Sequence, residues 1–218
     1  RADLQNSMVT FIATRGSPAS GHKDLRTCKN RLIAWALPYY GCVPDDQIES
    51  GCDIVVAETI RIPPSSVDPT VKNFGRLDFV RALYEAYDRD AQYAVLLDDE
   101  GNVTEGRGWN IFALSDGVLV SPDQGALEGI TRQTVYELSE KLNVEARKGK
   151  FKADQLRGAE EVFITSTAGG IMPVRSIDGE NIGDGQPGPV TERMKDLYWG
   201  LHDDDTYSTP VNYDLAEN

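Results

Sequence analysis

"WNIFALSDGVLVSP", residues 109–122, reads as two short apolar strands closed by a tight turn at Ser115–Gly117. An Asp-Gly pair between two apolar runs is a strong hairpin signal, because both residues tolerate the positive φ such turns need. Upstream, "QYAVLLDDEGNVTEG" (92–106) gives a strand, a D-D-E-G-N turn and a return strand. Downstream, "GITRQTVYELSEKLN" (129–143) changes period and reads as a helix with Val135, Leu138 and Leu142 inward. "KADQLRGA" (152–159) is a short helix, and "EEVFITSTAGG" (160–170) a buried strand ending in a glycine pair. "GPVTERMKDLYWGLH" (188–202) is an amphipathic helix with Val190, Met194, Leu197, Tyr198 and Leu201 on one face.

The N-terminal half adds three β-branched and aromatic runs, "MVTFIAT" (8–14), "RLIAWALPYY" (31–40) and "CDIVVAETIRI" (52–62). The second is expected to end at Pro38. "GSPASGHKDLRT" (16–27) is a polar surface loop, and "LDFVRALYEAYDR" (77–89) a helix carrying Leu77, Val80, Tyr84 and Tyr87 on one face. Hairpins mixed with separate helices give an α+β fold. The expected division is a large domain over 1–205 and an acidic tail over 206–218.

With 218 residues, 40% of them hydrophobic and 26% charged, the chain has the make-up of an ordinary globular protein. A net charge of -13 argues against nucleic acid, which needs clustered Lys and Arg. No apolar run is long enough to span a membrane. Cys28, Cys42 and Cys52 lack paired spacing, which favours free thiols in a reducing cytoplasm over disulfides or zinc. The two histidines, His22 and His202, are too few for a histidine triad or a multi-histidine metal site. No metal is expected.

Four stretches can carry chemistry. "DPTVKN" (68–73) sets Lys72 among neutral neighbours, where a lysine either snorkels to water or does amine chemistry. "TEGRGWN" (104–110) puts Glu105 in a glycine-broken turn, either as a solvated loop acid or as a site carboxylate. "ALEGIT" (126–131) sets Gly129 before a helix start, which is either a plain helix entrance or an anion site. "TSTAGGI" (165–171) puts hydroxyls and glycines at a strand end, as a simple turn or a second anion cradle. Together they supply an amine, an isolated carboxylate and two phosphate cradles, the parts pyridoxal phosphate needs.

The ordered set "TVKN…TEGRGWNIF…DGVLVSP…ALEGITRQTV…EEVFITSTAGGIMPV…DG…GPVT" resembles the fold-type IV (class IV) pyridoxal-phosphate aminotransferases over nearly the whole chain. "TVKN" and "STAGGIMP" are most similar to the (R)-selective amine transaminases, with branched-chain or D-amino-acid aminotransferases next and aminodeoxychorismate-type lyases after them. The resemblance implies a large C-terminal domain, a mixed β pseudo-barrel with flanking helices, working as a cytoplasmic homodimer on amines or amino acids and keto acids. It implies Lys72 as the Schiff-base lysine, Glu105 on the pyridine nitrogen and Leu127 against the ring. Gly129, Ile130 and Thr131 would hold the phosphate, with Ser166 and Thr167 as the second contact. Trp109, Thr167 and Ala168 would face the substrate.

The chain departs from the amine branch after the lysine, where "NFGRLD" keeps only Asp78 of a tryptophan-glycine-aspartate run. The family's smaller N-terminal domain, with a further phosphate-binding arginine and much of the substrate pocket, is expected to be absent. Outside the family, a cofactor-free Schiff-base aldolase leaves Glu105 and both cradles without a role. An inactive truncated domain is the non-enzyme alternative.

Overall fold

The computed structural model describes residues 4–19 and 23–212. The chain forms two compact units, Arg1–Gly41 and Cys42–Asn218. The first is a two-stranded antiparallel sheet, β1 (Ser7–Thr14) and β2 (Arg31–Pro38), in register from Ser7 opposite Pro38 to Thr14 opposite Arg31. β2 ends at Pro38, which has no N–H to continue a ladder. Within the expected loop, a 3₁₀ turn at Leu25–Thr27 is opened by Asp24, whose carboxylate accepts from the Arg26 N–H. Ser20, Gly21 and His22 of that loop lie outside the described residues, as do 213–218 of the tail.

The second unit is built on one mixed sheet. Its strands are β3 (Cys52–Ile60), β4 (Tyr93–Leu97), β5 (Val103–Gly106), β6 (Asn110–Ser115), β7 (Val118–Ser121), β8 (Glu145–Lys148), β9 (Glu161–Ser166), β10 (Gly170–Ile177) and β11 (Glu180–Asn181). They lie in the order β5-β4-β3-β10-β9-β6-β7-β8, with β11 on β10. β3 runs parallel to β4 and β10, and β7 parallel to β8; the other pairs are antiparallel. β5 and β6 are far apart in that order, yet a bridge joins Gly106 to Trp109. The strands from β5 to β6 therefore curl into the expected pseudo-barrel. The turn between β6 and β7 has Asp116 and Gly117 at φ 50 and 75, as the hairpin reading requires.

Successive strand residues point to opposite sides, so a strand buried on both faces reads as an unbroken apolar run. β6 and β9 show it. Ile111, Ala113, Val162 and Ile164 join the barrel interior with Val56, Val95 and Met172. Phe112, Leu114 and Phe163 join an outer layer with Ile171, and Phe112 stacks on Phe163 at 5.1 Å between ring centres. Two helices cover that layer: α3 (Ile130–Leu142) through Val135, Leu138 and Leu142, and α5 (Pro189–Gly200) through Met194 with Val190, Leu197 and Tyr198. Glu161 pins the start of α5, accepting from the Val190 and Thr191 N–H groups at 3.0 and 2.7 Å, where the helix dipole favours an anion. Two short helices, α1 (Asp45–Ser50) and α4 (Ala153–Arg157), complete the set with α2 (Leu77–Tyr87).

α2 turns the other way from a simple reading of its stripe. Leu77, Val80, Tyr84 and Tyr87 do share a face, but it is the open one, and Leu77 is 82% exposed. The helix buries Asp78, Phe79, Ala82 and Ala86 instead, against Val55, Ala57, Ala94 and Leu96 of β3 and β4. The helix offers two apolar faces, and the alanine face is the one that lets its backbone approach the sheet closely. Close packing outweighs side-chain size.

Candidate active site

The site is assembled where the barrel closes. Glu105, near the end of β5, is only 7% exposed and collects donors from three directions. The Leu127 N–H reaches Oε2 at 2.9 Å and the Asn110 amide reaches the same oxygen at 3.2 Å. Arg61 Nη2 reaches Oε1 at 3.3 Å. Burial pushes the Glu105 carboxyl above the usual range, and the Leu127 N–H and Arg61 pull it back. Buried and surrounded by donors, Glu105 is not the solvated loop acid that its turn also allowed.

Lys72 sits in the long crossover between β3 and α2. Asx turns stand on either side of it: Asp68 Oδ1 accepts from the Thr70 N–H at 2.9 Å, and Asn73 Oδ1 from the Gly75 N–H at 2.8 Å. Arg61 opens this crossover and bonds Glu105; Asp78 closes it and bonds Arg61 Nη1 at 2.5 Å. Both ends of the lysine's loop are thus tied to Arg61, which reaches the Glu105 carboxylate. Lys72 itself is exposed and, among the described residues, forms no ion pair.

The two cradles flank the same point. α3 starts at Gly129 without a side-chain cap, so its first-turn N–H groups are left for an outside acceptor. Asn110 spans the gap, donating to the Leu127 carbonyl at 2.9 Å as well as to Glu105. Thr131 is buried at 4% exposure, whereas the Ile130 side chain is 80% exposed and can offer only its backbone to a ligand. Asn110 lies opposite Thr165 in the β6–β9 ladder, which brings the Ser166–Ala168 turn alongside. There the Ser166 hydroxyl accepts from the Ala168 N–H at 3.3 Å, and Thr167 is exposed.

Trp109, the residue expected to face the substrate, has its side chain in the core. Trp109 is 4% exposed and packs in the barrel interior, its indole lying over Gly106. It is a core residue, because the β5–β6 bridge turns its ring inward. Sequence reasoning also passed over Arg61, Asn110 and Arg132. Arg132 is fully buried and bonds Ser121 Oγ at 2.9 Å and the Pro122 carbonyl, fixing α3 to the end of β7. A charged residue inside an apolar stretch, as in "TIRIPP" (59–64), is the only local sign of Arg61.

No group of three or more potential metal ligands clusters among the described residues, and the three cysteines are free. No helix among them is long and apolar enough to cross a membrane. The donor set suits a phosphorylated heteroaromatic ring: a buried carboxylate, an uncapped helix start, hydroxyls and an exposed amine.

Comparison with known proteins agrees. The sequence model of the family described as amino-transferase class IV matches residues 1–177. The branched-chain-amino-acid aminotransferase of Escherichia coli K12 is 35% identical over 178 residues, covering 80% of this chain and 58% of that protein. The Pseudomonas aeruginosa enzyme of the same name is 39% identical over 202 residues, covering 91% and 65%. Among solved structures, a T.th. branched-chain amino acid aminotransferase with pyridoxamine 5'-phosphate superposes with a TM-score of 0.81 at 31% identity, covering 89% of this chain and 65% of that one. The chain thus spans about three fifths of the length of these relatives. In sequence and in fold alike, it belongs to the class IV aminotransferases.

Proposed function

We propose that this chain is the cofactor-binding part of a pyridoxal-phosphate-dependent transaminase that moves an amino group between an amino acid and a keto acid. The observation that carries the reading is Glu105: a buried carboxylate, surrounded by donors, beside an uncapped helix start. When bound, pyridoxal phosphate supplies an electron sink for the carbon that loses its proton. The chain's own residues do the rest. Lys72 would hold the cofactor through its amine, and the same amine would carry the proton to and from the substrate carbon. Glu105 keeps the ring nitrogen protonated. The α3 start with Thr131, and the Ser166–Ala168 turn, hold the phosphate and orient the ring.

For substrate, the resemblance in "TVKN" and "STAGGIMP" pointed first to (R)-selective amines. The relatives are instead named branched-chain-amino-acid aminotransferases, and they support the branched-chain alternative better. We therefore take branched-chain amino acids as the proposed donors, in a cytoplasmic homodimer.

Borohydride reduction with pyridoxal phosphate, followed by peptide mapping, tests the site: the label belongs on Lys72, and a label confined to other lysines refutes it. A panel of leucine, D-alanine and (R)- and (S)-1-phenylethylamine tests the substrate. Amino transfer from (R)-1-phenylethylamine but not leucine would reinstate the amine reading.

A further inference from the structure

Glu105 is the end of a buried charge chain whose middle member, Arg61, no motif announced. Arg61 Nη1 donates to Asp78 Oδ2 at 2.5 Å, and Arg61 Nη2 donates to Glu105 Oε1 at 3.3 Å. All three residues are buried. The guanidinium carbon of Arg61 stands 4.3 Å from the centre of the Phe79 ring, so its plane is fixed from below as well as at both ends. The two oxygens of Glu105 are unequally used. Oε2 is filled by Leu127 and Asn110, while Oε1 has only the long contact to Arg61. Oε1 is the oxygen left to accept from a ligand.

We infer that Arg61, locked by Asp78, is a positioning residue that keeps Glu105 ionised and aims Oε1 at the ring nitrogen. The inference rests on the function proposed above. Its physical basis is that a carboxylate this buried is driven toward its neutral form, and a neutral carboxyl does not hold a pyridinium. The other groups facing Glu105 do not replace Arg61. Asn110 and the Leu127 N–H are neutral donors on the far oxygen. Arg76, at the start of α2, acts on Glu105 only at a distance, and its own charge is opposed by burial and by Arg107 in the β5–β6 turn. Asp78 is an anion and works in the opposite sense, except that it fixes the guanidinium.

The 218-residue chain with ¹³C-labelled glutamate supplies a readout that needs no cofactor. Titration of the Glu105 carboxyl by NMR should show its midpoint rising by about one pH unit or more in Arg61→Met, roughly a tenfold change in proton affinity, and returning most of the way in Arg61→Lys. Arg61→Met leaves Asp78 buried and unpaired and can fail to fold. Arg61→Met with Asp78→Asn removes both charges, and the same upward shift is expected in it. With ¹⁵N-labelled pyridoxal phosphate bound, the ring nitrogen should move from the pyridinium toward the pyridine position in the double variant, as it does in Glu105→Gln. An unmoved Glu105 midpoint in a folded double variant overturns the inference while leaving the proposed function standing. Failure of the parent chain to take up pyridoxal phosphate at Lys72 overturns the proposed function, and the inference with it.

Discussion

Gly129 and Asn110 lie so close that a Cβ built on the glycine overlaps Asn110 Oδ1. The φ of Gly129 is -65, which any residue adopts, so space and not backbone freedom demands the glycine. Asn110 uses its amide to hold both Glu105 and the Leu127 carbonyl. Gly129→Ala should therefore act at a distance, by pushing Asn110 off the carboxylate. Hydrogen bonds to charged groups contribute about 1.5–3 kcal/mol, so pyridoxal phosphate affinity should fall by roughly ten- to a hundredfold. Asn110→Ala should match it. Unchanged affinity in Gly129→Ala, measured by fluorescence titration, would mean the loop yields without disturbing Glu105.

Glu105→Gln keeps the shape and removes the charge. Stabilising the carbon that loses its proton is a transition-state effect, so turnover should fall far more than cofactor affinity. Losing one preorganised electrostatic group costs about 10²–10³ in kcat. The check is kcat beside the cofactor Kd; near-normal turnover would assign the ring nitrogen to another acid.

Thiol reactivity should follow burial. Cys52 sits in the barrel interior, and burial first, then Asp53 and Cys42, pushes its thiol up to about 12. At pH 8 only roughly one molecule in 10⁴ then carries the thiolate that reacts. Burial also raises Cys42, by less. In a thiol-exchange assay on the folded chain, Cys52 should stay unlabelled until denaturant is added. Prompt labelling of Cys52 would contradict this packing.

Acid should weaken the join between β3 and β10. Arg175 bonds Asp53 twice, at 2.8 and 2.6 Å, and Ser176 adds a third bond. The Arg175 bond, against burial, holds the Asp53 carboxyl below its ordinary 3.8. A lowered carboxyl stabilises the fold above its unfolded value, and that contribution is lost as pH falls through the folded one. The Tm gap between the parent and Asp53→Asn should thus be present at pH 7 and close as the pH falls below 3.8. Because Asp53 is partly open to solvent, the gap should be small and should shrink in salt. A gap that persists in strong acid would trace it to packing instead.

Most strands and helices were legible because their signals are local. The Asp116–Gly117 turn, the alternating faces of β6 and β9 and the inward stripe of α3 are each written within a few residues of one another. The parts of the site could be named the same way, since an amine, a carboxylate and a glycine at a helix start are visible one stretch at a time. How they meet was not. Arg61 (held by Asp78 of α2), Asn110 and Leu127 converge on Glu105 from the end of β3, β6 and the loop before α3. No periodicity links positions so far apart in sequence. The sequence likewise could not choose between the two apolar faces of α2, or turn Trp109 into the core. Those outcomes depend on how closely a backbone can approach the sheet and on where β5 meets β6, and such distances exist only once the barrel has closed.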